Sequence, residues 1–172
     1  MYVTLVLLAD LPGATELAQV AGAEHQGAID PALMEATLRG TDRSAWTSDQ
    51  IAVADDAASR ITEVIVEVDA LIDGYLARRL PVVPVPVPTV LVTIARAIVR
   101  YELHKHRISD ATTDPVARDY QDKLKLLAAI RDGDVTIGAT DPLVDTTTAA
   151  GETVIESEGR VFSRERTRGC LR

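Results

Sequence analysis

The chain has 172 residues, 47% of them apolar but only 3% aromatic, and a formal net charge of −8. This length is typical of one domain, and the aliphatic composition favours a helical core. An acidic chain lacks the basic footprint of a protein that reads or wraps DNA. The single cysteine, Cys170, excludes an intramolecular disulfide, which is typical of a reducing compartment. Without a basic signal-peptide start or an uncharged apolar run of roughly 18 residues, we expect a cytoplasmic protein that does not enter a membrane.

The first third of the chain predicts three short helices. Two are expected over residues 5–11 and 13–21. The pair Asp30-Pro31 combines an N-cap with proline at the first helical position, and Gly40 is a typical helix end. We therefore expect the third helix between these residues.

A long helix follows. Thr47 and Gln50 are spaced as a capping box, and the helical pattern continues to Arg79. Apolar residues recur there at alternating spacings of 3 and 4, as on one side of an amphipathic helix about 45 Å long. A heptad coiled coil and packing against a core both produce such a stripe, and core packing is favoured. The stripe consists of Ile51, Ala54, Ala58, Ile61, Ile65, Val68, Ile72 and Tyr75.

Four prolines then fall within eight positions, in the sequence LPVVPVPVP from Leu80 to Pro88. Proline fixes φ and favours extended geometry in the preceding residue, so this stretch predicts a short polyproline-like strut. Arg78, Pro81 and Pro84 also match the pattern of a proline-rich peptide ligand. Because valines separate the prolines and apolar segments flank them, we favour a rigid elbow between two helices.

The remaining chain predicts two more helices and a tail of different character. Helices are expected over residues 89–106 and from Asp114-Pro115 to Gly133, followed by a short strand at 135–137. Thr, Ala, Asp and Gly dominate immediately beyond, which is typical of a linker. Residues 160–172 carry a net charge of +4, so the remaining chain carries −12. We expect a helical domain over residues 1–138 and, over residues 139–172, a flexible linker with a basic partner-binding tail.

No group of residues predicts catalysis, a metal site or a cofactor. His104 and His106 lie two positions apart on a helix and so point in different directions, even with Glu102 nearby. Cys170 has no catalytic pattern around it, and neither a phosphate-binding glycine loop nor a zinc pattern is present. We expect no enzyme and no cofactor.

Several stretches together resemble one family. They are MYVTLVLLADLPG at the start, the long helix ending IDGYLARRLPVVPVP, then IARAIVRYELHKH, DYQDKLKLLAAIRDGDVTIG and the terminal GRVFSRERTRG. These stretches resemble the Mu-like phage and prophage head–tail connector family, whose helical layout is similar to that of the neck adaptor proteins of long-tailed phages. The most specific parts are the elbow, D-x-Y-L-x-x-R-x-P, and an F-S-R element in the tail. The elbow residues are Asp73, Tyr75, Arg79, Pro81 and Pro84, and the tail residues expected to bind a partner are Arg160, Val161, Phe162, Ser163, Arg164, Arg166 and Arg168.

The resemblance implies a structural virion protein assembled in the host bacterial cytoplasm. Adaptors of this kind form a ring, here expected to have twelve copies, below the portal protein and bind the next neck or tail component. DNA would pass through the lumen without sequence-specific binding. The fold implied is mainly α, a small helical bundle built on one long helix and a proline elbow, with an extended or β C-terminal tail. The alternative function is a soluble helical binding or regulatory module with a C-terminal recognition peptide.

Overall fold

A computed structural model describes residues 1–23, 26–77, 79–80 and 84–137. Helices account for 67% of these residues, and no β-strand occurs among them. The mainly α fold class is therefore confirmed. The linker and tail over residues 139–172 lie outside the described residues, as does the expected boundary at residue 138.

The N-terminal pair of helices is shorter than predicted. α1 spans Leu5–Leu8 and α2 spans Ala14–Val20. The predicted continuation of α1 to residue 11 is wrong, because Leu11 has an extended backbone (φ −147°, ψ 119°) and Pro12 follows it. Gly13 adopts a φ of 106°, a conformation that favours glycine, and the chain turns there into α2.

α3 and α6 begin and end as predicted. α3 spans Pro31–Arg39 and α6 spans Pro115–Asp132. Proline occupies the first turn of each helix, and the carboxylate of the preceding aspartate accepts hydrogen bonds from backbone N–H groups of that turn. Gly40 and Gly133 adopt left-handed conformations, with φ values of 65° and 94°, and end the two helices.

α4, Ser48–Leu76, is the longest helix and begins at the predicted capping box of Thr47 and Gln50. Its buried side chains advance by 3, 4, 4, 3, 4 and 4 residues, an average near the 3.6 residues per turn of a straight helix. The predicted spacing averages about 3.4 residues, and a stripe with that spacing drifts around a straight helix. Three members of the predicted stripe, Ile51, Ala58 and Tyr75, are only half-buried. The fully buried side chains of α4 are Ala54, Ala57, Ile61, Ile65, Val68, Ile72 and Leu76.

One hydrophobic core contains side chains from every helix. α4 packs against α3, α6 and α5, the last spanning Thr89–His104, while α5 and α6 pack on each other and α2 packs on α3. Core packing rather than a coiled coil thus explains the apolar stripe of α4. Fully buried members include Leu8, Leu17, Leu33, Ile65, Ile94 and Leu127.

The strand expected at residues 135–137 is wrong. The N–H of Val135 donates to the carbonyl of Ala129 at 3.3 Å, and its carbonyl accepts from Arg79 at 2.8 Å. These backbone groups therefore serve the end of α6 and a buried side chain rather than a neighbouring strand. Ile137 is 8% exposed and belongs to the core.

The proline connection is only partly described. Between Pro84 and Pro88 the backbone bends at Val85 and Pro86, and the peptide bond between these two residues is cis. The predicted polyproline-like strut is therefore wrong at Val85 and Pro86, where the backbone bends before α5. None of the helices in the described ranges is both long and apolar enough to cross a membrane.

Candidate functional site: the elbow at the end of α4

Arg79 is the buried charged residue at the elbow, with 8% of its surface exposed. Its Nη1 donates hydrogen bonds to the carbonyl oxygen of Ile130 and to that of Val135, the latter at 2.8 Å. Ile130 lies in the last turn of α6, where the helix dipole favours a cation. A buried guanidinium requires such acceptors, because an uncompensated buried charge is costly. Arg79 therefore joins the elbow to the end of α6.

Asp73 joins the same end of α4 to the N-terminus of the chain. The hydroxyl of Tyr2 donates to the Asp73 carboxylate at 2.5 Å, and the N–H of Tyr2 donates to Asp69 at 3.0 Å. The N-terminal ammonium lies 3.5 Å from the Asp69 carboxylate. Burial raises the pKa of Tyr2 well above its usual value, and the hydrogen bond to Asp73 raises it further. Tyr2 therefore stays neutral and remains a hydrogen-bond donor.

Tyr75 contacts α6 through a third kind of interaction. The Arg131 guanidinium carbon lies 5.7 Å from the centre of the Tyr75 ring, within the range of a cation–π contact. Arg131 also makes two hydrogen bonds to Asp132, at 2.7 and 2.9 Å, and this pairing raises the pKa of Arg131. The ring of Tyr75 is half-buried beside the core.

Three of the predicted elbow residues thus lie together at the C-terminal end of α4 and contact different parts of the fold. Pro84 is half-buried in the connection that follows. Pro81 lies outside the described residues, and so do the tail residues predicted to bind a partner, namely Arg160, Val161, Phe162, Ser163, Arg164, Arg166 and Arg168.

The partners of the elbow residues had no signal in the sequence. Tyr2 lies 71 residues from Asp73, and the Ile130 and Val135 carbonyls lie 51 and 56 residues from Arg79. Local pattern identifies a donor or an acceptor but gives no information about contacts at such separations. Sequence reasoning therefore found one side of each contact and missed the other.

The histidine pattern near the end of α5 is part of a second polar cluster. Glu16 accepts two hydrogen bonds from Arg100, at 2.5 and 2.9 Å, which raises the pKa of Arg100. His104 Nε2 lies 3.4 Å from Glu16, and Nδ1 lies 2.8 Å from the carbonyl oxygen of Arg100. Glu102 pairs instead with Lys105 at 2.6 Å. Among the described residues, no group of three or more potential ligands is placed to hold a metal ion.

The interactions at the elbow join separate parts of the same chain and fix one helix relative to another. A hydrogen-bonded arginine, a neutral tyrosine and a cation–π pair hold the end of α4 against α6 and the N-terminus. Such an arrangement fixes the position of the C-terminal end of α4, immediately before the proline connection. We refer to these contacts as the brace of the elbow.

The chain is similar to a known protein family and to proteins of known source. The family model described as "Bacteriophage Mu, Gp36" matches residues 2–156. The "Mu-like prophage FluMu protein gp36" of Haemophilus influenzae is 29% identical over 135 residues, which cover 78% of this chain and 90% of that protein. "Gene product J" of Escherichia phage Mu is 31% identical over 116 residues, which cover 64% of this chain and 74% of that protein. No solved structure matches the chain. The chain therefore belongs to the bacteriophage Mu Gp36 family, as residues 2–156 match its model.

Proposed function

We propose that the protein is a structural virion protein, a head–tail connector that forms a ring below the portal and joins the capsid to the neck or tail. The observation that carries this proposal is the match to the Mu Gp36 family over residues 2–156. The relatives belong to phage Mu and a Mu-like prophage, so a role in the virion is consistent with their source. The protein would be assembled in the host bacterial cytoplasm, act in the virion neck and carry out no catalysis.

The braced elbow supports a role in ring assembly. In a ring, each subunit presents one surface to the next, and closure depends on the angle between those surfaces. A subunit that flexed between α4 and α5 would vary this angle. Arg79 and Tyr2 hold α4 to α6 and to the N-terminus, so the helical domain can act as a rigid wedge. We propose a ring of twelve copies.

The charge of the chain supports two further parts of the proposal. Residues 1–159 together carry a net charge of −12. An acidic surface of this kind would repel DNA phosphates, so DNA would pass the lumen without binding. The basic tail, with five arginines over residues 160–172, would bind an acidic surface of the portal, of a neighbouring subunit or of the next neck component.

Electron microscopy of negatively stained complexes tests the proposal. The full chain, mixed with the portal protein of its own phage or prophage, is expected to add a ring of density below the portal that portal alone lacks. A mixture with an unrelated portal is the control. A stable dimer or tetramer that the portal leaves unchanged would instead support the helical binding or regulatory module.

The elbow and the tail give two variants for the same assay. Pro81→Ala with Pro84→Ala should retain helix content by circular dichroism, since each proline changes stability by only about 0.4–1 kcal/mol, yet reduce ring formation. Phe162→Ala with Arg164→Ala should do the same by weakening the tail contact. Rings that form at wild-type level with both variants would contradict these two roles while leaving the connector proposal itself intact.

A further inference from the structure

A cleft beside α5 contains a cation that the described residues do not neutralise. The cleft has a volume of about 410 Å³ and lies between the turn before α2, α5 and α6. The Arg96 guanidinium makes no ion pair with the described residues, and its buried Nε has no hydrogen-bond partner among them. The other two cations of the cleft differ, because Arg100 is held by Glu16 at 2.5 Å and Lys123 lies 3.6 Å from Asp119. Arg96 is therefore available to an external carboxylate.

Part of the rim of this cleft is apolar, beside the charged residues. Leu11 is 61% exposed, and Pro12 and Ala97 line the same space. The extended backbone of Leu11 interrupts the helical start of the chain at this place. A ligand that fits must therefore offer an aliphatic side chain and a carboxylate close together.

The outer surface of α4 has the complementary features. Val66 is 59% exposed and stands between two exposed carboxylates, Glu63 and Glu67, all on one side of the helix. Neither glutamate makes an ion pair with the described residues, and like charges four residues apart repel each other. The cation that Glu67 influences most clearly is Lys105, whose pKa is raised first by its hydrogen bond to Glu102 and less by Glu67. A cation from outside would relieve this repulsion.

We propose that these two surfaces bind each other between copies of this chain, with Val66 packing on Leu11 and Glu63 and Glu67 facing Arg96. The surfaces share no residue, so the contact is heterologous and leaves each copy with one free surface of each kind, as a ring requires. This inference rests on the proposed function and deepens it by naming the two surfaces through which neighbouring subunits would meet.

Cross-linking between two single-cysteine variants of the full chain tests the contact. In a Cys170→Ser background, Val66→Cys and Leu11→Cys are mixed in equal amounts at high concentration with a short thiol-specific cross-linker, without portal. Intact mass separates the heterodimer from the two homodimers. The control uses Val85→Cys in place of Leu11→Cys, because Val85 is also exposed, with 93% of its surface accessible. We expect about tenfold more heterodimer for the Leu11 pair, because a specific contact raises the local concentration of the two thiols.

Charge reversal then tests the chemistry. Glu63→Lys with Glu67→Lys in the Val66→Cys chain, or Arg96→Glu in the Leu11→Cys chain, should each lower the yield about tenfold, because like charges then face each other. Both changes together should restore it. A heterodimer no more abundant than the control, or a yield that the double reversal does not restore, would overturn the proposal.

The acidic part of the C-terminal segment is the competing occupant of the cleft. If Glu156→Lys with Glu158→Lys in the full chain changes the yield while reversal at Glu63 and Glu67 does not, the segment rather than a second copy binds Arg96, and the proposal fails. Rings on the portal without this cross-link would refute the pairing and leave the connector function standing. The cross-link without rings on the portal would support the pairing and contradict the connector function.

Discussion

The connection between α4 and α5 and the connection between α5 and α6 have similar lengths but are held in different ways. In the first, residues 77–88, buried Arg79 donates to carbonyls 51 and 56 residues away. In the second, residues 105–114, most residues are exposed, and the described hydrogen bonds span two to four residues. One connection is therefore held by its own neighbours in sequence, whereas the other is held by the end of α6.

This contrast predicts how far the effect of a mutation in each connection extends through the fold. A change in the α5–α6 connection should affect the start of α6 and little else, because its partners are neighbours in sequence. A change at the α4–α5 connection should also affect the end of α6 and Val135, which lie far from it in sequence. The four predictions below test this difference.

The largest effect is expected for Arg79→Met. The variant keeps an apolar stem but leaves the carbonyls of Ile130 and Val135 without their buried donor. We expect the free energy of unfolding to fall by about 2–4 kcal/mol, measured by urea denaturation. Arg118→Met, on the exposed side of α6, is the matched control and should change stability by no more than about 0.5 kcal/mol. Equal losses in the two variants would mean that Arg79 does not brace the connection.

Tyr2→Phe should have the next largest effect, because it removes the hydrogen bond to Asp73. We expect a loss of about 1–2 kcal/mol near neutral pH. Since folding raises the pKa of Tyr2, its contribution is fully present below the unfolded value of about 10 and is lost as the pH rises above it.

The stability difference between wild type and Tyr2→Phe should therefore shrink above about pH 10. Urea denaturation at several pH values measures it. The matched control is Tyr101→Phe, whose hydroxyl makes no hydrogen bond in the described part of the chain and whose ring stacks on Tyr120 at 3.9 Å. A difference that stays constant through alkaline pH would contradict the proposed cause.

Asp114→Ala tests the local connection. The Asp114 carboxylate accepts hydrogen bonds from the N–H groups of Val116 and Ala117, at 2.7 and 3.1 Å, and so caps α6. We expect the free energy of unfolding, measured by thermal or urea denaturation, to fall by about 1 kcal/mol. The contacts of Arg79, Tyr2 and Tyr75 at the elbow should stay unchanged. Asp122→Ala in the middle of the same helix should cost less. A larger loss than that of Arg79→Met would reverse the comparison.

The smallest effect is expected for Asp110→Ala in the same connection. The N–H of Thr112 and then the hydroxyl of Thr113 hold the pKa of the exposed Asp110 carboxyl below its usual value. Its contribution is therefore present above the unfolded pKa of about 3.9 and lost as the pH falls. An NMR titration of the wild-type carboxyl should give a pKa below that of the unfolded chain. A value at or above it would show that the turn is not formed in solution.

The elbow shows how much of the candidate site was predictable. The D-x-Y-L-x-x-R-x-P pattern identified Asp73, Tyr75 and Arg79, and all three make contacts at the end of α4. Their partners could not be predicted, because nothing near Tyr2 or Val135 in the sequence marks them as acceptors or donors for residues so distant. The role of the tail residues stays a prediction.

The sequence by itself determined where α3 and α6 begin and end and where α4 begins. The capping box at Thr47 and Gln50, the two Asp-Pro starts and the glycines at 40 and 133 all act through hydrogen bonds or φ values within a few residues. Only the tertiary structure decided which side of α4 is buried at its ends, where Ala57 and Leu76 replace the predicted Ala58 and Tyr75. It also decided that the carbonyl of Val135 accepts a hydrogen bond from Arg79 instead of belonging to a strand. The physical reason is distance along the chain: caps are local, whereas burial and buried hydrogen bonds depend on helices that meet only after folding.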